Sequence, residues 1–125
     1  MLPAGARLTR RDEFASTIRH GRRAGRSRLV VHVDTASTTD PASQAPPRAG
    51  FVVSKAVGNA VVRHRVARRL RHLVAARLGT LPPGYSLVVR ALPPAAAATS
   101  AELGADLDSA LRSASKKLRG RETVR

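Results

Sequence analysis

The sequence predicts a single mixed α/β domain, and three observations predict it. The chain has 125 residues, the length of one domain. Three short β-branched runs read as strands: RLVVHV at residues 28–33, GFVVS at 50–54 and YSLVVRA at 85–91. Stretches of helical period alternate with them, at residues 9–21, 59–78 and 99–119. The core has to be built from Ala, Val and Leu, because the chain holds only two Phe, one Tyr and no Trp.

Residues 9–21, TRRDEFASTIRHG, predict a short helix. Thr9 can cap it, Asp12 and Glu13 suit its first turn, Gly21 suits its end, and Phe14 and Ile18 share a face. On pattern alone that apolar pair is core. Residues 34–49, DTASTTDPASQAPPRA, show no hydrophobic periodicity and read as a long flexible connection without chemistry. The strands at 28–33 and 50–54 are therefore expected to pair antiparallel across it. From Asn59 to about Leu78 the period lengthens, and Val62, Val66, Leu70 and Leu73 fall within about 80° of a helical wheel. Asn59 is a favourable N-cap, and Gly79, Pro82 and Pro83 end the helix. Residues 93–98 read as a low-complexity loop. Residues 99–119 align Leu103, Leu107, Ala110, Leu111, Ala114 and Leu118 on one face, with Asp106 and Asp108 on the solvated side. Residues 120–125 read as a frayed tail. No repeat or second domain is visible, so residues 1–125 form one unit.

Charge restricts the function more than composition does. Lys and Arg number 23 against 8 Asp and Glu, for a net charge of +15. Self-repulsion opposes the compact state, so this charge gives no fold stability and implies a polyanionic partner, nucleic acid before an anionic membrane surface. Base composition of the gene can account for 20 Arg against 3 Lys; it does not account for the net charge. No segment reaches the length of a membrane span, and MLPAGARLTRRDEF lacks an apolar signal core, which predicts a cytoplasmic protein. Without cysteine there is no disulfide, zinc-thiolate site or thiol nucleophile. The histidines lack zinc-ligand spacing and the eight acids are scattered, so a metal nuclease made of protein alone is not expected.

The stretch KAVGNAVVRHRVARRLRHLV, residues 55–74, contains no acid. On the wheel, Arg65, Arg68 and His72 lie opposite the apolar stripe, His64 and Arg71 lie beside them, and Arg63 and Arg69 flank the stripe. Like charges at i,i+4, such as Arg65 and Arg69, destabilise a free helix by a few tenths of a kcal/mol. Phosphates would remove that repulsion. Lys55 and Asn59 stand at the helix entry, where backbone N–H groups and the helix dipole favour an anion, although the GxxxxGK[ST] nucleotide loop is absent.

At VSKAVGNAVVRHRVARRLR the sequence resembles the bacterial ribonuclease P protein component. The Ser-Lys, Gly, Arg-x-Arg and basic-helix pattern carries the resemblance, with Glu13-Phe14 and His20-Gly21 upstream. It spans roughly residues 7–118. It implies an α/β (α+β) two-layer sandwich similar to domain 2 of ribosomal protein S5. The implied order is α-β-β-β-α-β-α, with a sheet of about four strands, an extra strand near residues 22–25 and a left-handed β-α-β crossover. It further implies that a Mg2+-dependent RNA subunit performs the chemistry, with no catalytic residue and no organic cofactor in the protein. The expected partners are the catalytic RNA and precursor tRNA; neither a membrane nor an obligate protein partner is expected. The resemblance assigns catalytic-RNA contacts to Lys55, Asn59, Arg63, His64, Arg65, Arg68, Arg69 and Arg71. It assigns a cleft for the 5′ leader to Arg10, Arg11, Phe14, Ile18, His32, Ser54 and Arg90.

This sequence departs from the family pattern at several positions. His64 replaces an Asn, so a Mg2+ ion near it would tolerate only neutral imidazole. Ala67 stands at a basic position. Ile18 and His32 stand where further cleft aromatics are expected, which shifts leader contact from stacking toward arginine. The alternative reading is a small basic ribosomal or structural RNA-binding protein without a processing role. A DNA-binding regulator fits less well, because strands flank the basic helix and no helix-turn-helix is visible.

Overall fold

In the computed structural model, which describes residues 4–8 and 11–123, the three β-branched runs and one short arginine-rich segment make a four-stranded sheet. The elements are α1 (Arg11–His20), β1 (Arg22–Gly25), β2 (Leu29–Thr35), β3 (Arg48–Val52), α2 (Ala60–Arg77), β4 (Tyr85–Ala91) and α3 (Ser100–Thr123). This is the expected α-β-β-β-α-β-α order, and the extra strand lies at residues 22–25.

Pairing departs from expectation. The sheet order is β1-β2-β4-β3, so β2 and β3 are not neighbours. β4 lies between them, antiparallel to β2 and parallel to β3. The connection from β3 to β4 is a crossover through α2, the kind of link a parallel pair requires. Burial explains the central place of β4: Leu87, Val88 and Val89 are all within 1% of full burial, so it needs cover on both faces.

Period-2 alternation sorts the two faces of the sheet. Leu29, Val31 and Val33 of β2, with Leu87 and Val89 of β4, enter one core with Val66, Leu70 and Val74 of α2. Leu103, Leu107, Ala110, Ala114 and Leu118 of α3 complete it. α2 and α3 thus form the second layer of the sandwich. The other face carries Arg23, His32, Val88 and Gly50 in one register row and Val30, Arg90 and Val52 in the next. α1 covers part of it. A Cβ at Gly50 would overlap the Phe14 ring, so glycine is what lets α1 approach β3. A Cβ at Gly21 would likewise collide with the carbonyls of Thr17 and Val33 where α1 turns into the sheet.

Segments expected to be irregular carry structure. β2 runs through Thr35, a 3-10 turn occupies Pro41–Gln44, and β3 begins at Arg48. The Asp40 carboxylate accepts from the Ala42 N–H and Pro41 sits in the first turn, a combination that caps the segment. Arg48 of this connection forms an ion pair with Glu13 of α1. Pro93–Ala97 also forms a 3-10 turn, with Ala95 and the following Ala98 buried. The small side chains that made it look featureless let it pack tightly. α3 continues to Thr123, beyond the expected end at residue 119. Before α1, Arg7 bridges Ala49 and the Leu8 N–H donates to the Ala49 carbonyl. The Thr9 cap lies outside the described residues.

Candidate nucleic-acid interface

α2 positions the arginines by burying the opposite side of the helix. The Asn59 side chain accepts from the Val62 N–H and starts the helix where expected. Val66, Leu70 and Val74 are fully buried, while His64, Arg65, Arg68 and His72 are exposed. Two arginines also serve the fold. Arg69 donates to the Ala98 carbonyl at 2.8 Å and Arg65 to that of Ala96 at 3.4 Å, fastening α2 to the turn before α3. Arg68 and Arg71 have no ion pair among the described residues.

The acids are engaged elsewhere. Asp106 and Asp108, expected on the solvated side of α3, are ion-paired: Arg28 holds Glu102 and Asp106, and Arg77 holds Asp108. The hydrogen bond from Arg77 holds the Asp108 carboxyl below its ordinary range. These pairs connect α3 to β2 and to the end of α2, an arrangement that spacing within α3 cannot reveal. None of these ion pairs involves an arginine of the first three turns of α2.

Beside α2, the edge of β3 forms a groove of about 270 Å³ lined by Arg7, Phe14, Gly50, Phe51, Ala67 and Arg71, among others. Through Val53, Ala67 and Arg71 it continues into a depression of about 260 Å³ that holds Ala60, Arg63 and His64. Both phenylalanines of the chain are here. Phe51 was missed by sequence reasoning because GFVVS reads as a core strand; its rarity, four residues before Lys55, was the available signal. Ala67, at a position where the family pattern is basic, leaves the passage open. The Arg63 Nε is buried without a hydrogen-bond partner. The groove brings Phe14, assigned to the leader cleft, together with Arg71, assigned to the catalytic RNA.

The remaining cleft residues lie around the free part of the α1 face. His32 is 5% exposed, one register row from Arg90. Ile18 is half-buried and Arg11 exposed. Ser54 and Lys55 are exposed in the turn after β3, where the Val57 N–H donates to the Ser54 carbonyl and the Gly58 N–H to that of Lys55. Arg10 lies outside the described residues. Burial, then the charges of Arg90 and Arg23, lower the His32 pKa, and its Nδ1 has no partner. Burial and these charges therefore favour the neutral form of His32 in the folded protein. Its contribution to stability is complete above the ordinary imidazole pKa and is lost as pH falls from there toward the folded value. Urea titrations at about pH 7.5 and pH 5 should show this loss in the wild type and a smaller one in His32→Gln.

The surroundings of His64 do not suit a Mg2+ ion held by protein. The depression around it has two arginines and no carboxylate, whereas Mg2+ requires oxygen ligands. Among the described residues no group of three or more His, Asp or Glu could hold a metal. No helix of the described residues is long and apolar enough to cross a membrane.

Fold and groove together define a strongly basic α/β domain with an arginine helix and an aromatic groove side by side. The family model described as Ribonuclease P matches residues 2–115. The ribonuclease P protein component of Streptomyces bikiniensis is 60% identical over 115 residues, covering 90% of this chain and 94% of the relative. That of Thermobifida fusca is 54% identical over 118 residues, covering 93% and 80%. The chain belongs to the ribonuclease P protein family. The solved RNase P protein of Staphylococcus aureus superposes with a TM-score of 0.72 over 86% of this chain and 93% of that one; at 23% identity it speaks for the fold alone.

Proposed function

We propose that the chain is the protein subunit of ribonuclease P, an endoribonuclease that removes the 5′ leader of precursor tRNA in the cytoplasm. One observation carries this reading beyond family membership: α2 is anchored by three fully buried residues and presents Arg68 and Arg71 without acidic partners. A surface helix in a self-contained protein normally mixes signs. The catalytic RNA binds the α2 arginines through its phosphates, and Lys55 and Asn59 add an anion site at the helix entry. Mg2+ acts in the RNA subunit; among the described residues no group of three or more His, Asp or Glu could hold a metal.

The leader follows the α1 face from Arg90 and His32 toward Phe14 and ends near the β3-edge groove. Stacking on an aromatic side chain is worth about 1–3 kcal/mol per base. Phe14→Ala should therefore weaken precursor tRNA binding by roughly tenfold in the holoenzyme. That loss should disappear with substrates whose leader is too short to reach the groove. Equal losses with long and short leaders would assign Phe14 to the fold, as the cover of Gly50.

A further inference from the structure

The structure assigns a second RNA-backbone contact to the C-terminal half of α3, resting on the subunit reading above. Signs are largely segregated along this helix: Glu102, Asp106 and Asp108 come first, Arg112, Lys116, Lys117, Arg119 and Arg121 follow, and Glu122 is the one acid after them. The acids are held by Arg28 and Arg77. Arg112, Lys116 and Arg119 are spaced i, i+4 and i+7, so they share one face, and all three are exposed. They surround a depression of about 330 Å³ with Thr80, Leu111 and Ser115. No ion pair holds Lys116 or Arg119 among the described residues, and Ser115, only 8% exposed, lines the depression.

Helix-dipole stabilisation does not explain the pattern. It fades within the last turn, whereas α3 runs to Thr123 and both Arg112 and Lys116 lie further in than that. Like charges at these spacings oppose the isolated helix. Three cations around a depression with the Ser115 hydroxyl fit the oxygens of a phosphodiester backbone, while the Thr80 hydroxyl is held by the Arg77 carbonyl. The site is separate from the α2 site: Arg68 and Thr80 are about 18 Å apart by helical rise alone. One subunit would then touch two RNA segments, one along α2 and another across the end of α3.

The test compares wild type with Arg112→Ala/Lys116→Ala/Arg119→Ala. These exposed positions accept alanine readily, and equal melting temperatures check the fold. Binding is measured to ribonuclease P RNA alone, and to precursor tRNA with the holoenzyme, across a salt series. Each lost phosphate contact removes about 0.7–0.9 from the log–log salt slope. We expect about tenfold or greater weakening and a slope lower by about two in one of the two arms, which identifies the RNA that supplies the phosphates. Backbone footprinting should lose a protected segment that an Arg68→Ala variant retains. Unchanged affinity, slope and footprint in both arms, with wild type binding normally, would overturn the second contact. Failure of the wild type to bind would instead overturn the subunit reading.

Discussion

Replacing Arg65, Arg68 and Arg71 together with alanine should weaken binding to ribonuclease P RNA by about a thousandfold. It should also lower the salt slope by about two to three. The expectation follows from geometry. Arg65 and Arg68 are exposed on the side of α2 away from Val66, Leu70 and Val74, Arg71 is half-buried beside the groove, and the acids of the neighbouring ion pairs are occupied by Arg28, Arg48 and Arg77. Losing roughly one phosphate contact at each position multiplies to that factor. Arg65 also bonds the Ala96 carbonyl, so its replacement removes a contact of the fold as well. Arg68→Ala is the cleaner single change, since Arg68 is exposed and has no ion pair among the described residues; its melting temperature should match wild type while affinity falls about tenfold. Filter binding across a salt series reads both quantities. An unchanged slope in the triple variant would mean that α2 does not meet phosphate.

The largest stability effect is expected at Leu70. It is fully buried between the sheet and α3, and alanine there should cost about 2–5 kcal/mol. For a chain of 125 residues this is a drop of roughly 10 °C in melting temperature. Because binding stabilises only the folded state, RNA at saturating concentration should recover much of the loss. A cost below about 1 kcal/mol would mean that α2 is not docked as described, and the one-sided display of its arginines would lose its basis.

How much of this was legible in the sequence depended on the range of the interaction. α2 was readable to within a residue because its apolar period, its Asn59 cap and its closing glycine are all local. β4 was readable for the same reason. Strand adjacency was not: β2 and β3 are neighbours in sequence and strangers in the sheet, and only burial of β4 on both faces separates them. β1, RRAG, has no β-branched residue, and only the family resemblance pointed to it. Within the site, the positive face of α2 was legible from the wheel. The groove at the edge of β3 was not, because Phe14, Phe51 and Arg71 come from three elements. Phe51 has the local pattern of a core residue, and its place beside the groove follows from β3 being an edge strand. The pairs Glu13–Arg48 and Arg77–Asp108 likewise connect residues far apart in sequence, so neither was visible and Asp108 read as solvated.

The central claim is that this chain assists an RNA catalyst on precursor tRNA. The most direct measurement adds the purified protein to ribonuclease P RNA at a Mg2+ concentration too low for the RNA to work alone, and follows cleavage of precursor tRNA. The account predicts that correct 5′-end cleavage is restored in proportion to added protein, and that it is lost when Arg65, Arg68 and Arg71 are replaced. Absence of rescue by a folded protein that binds the RNA would contradict it.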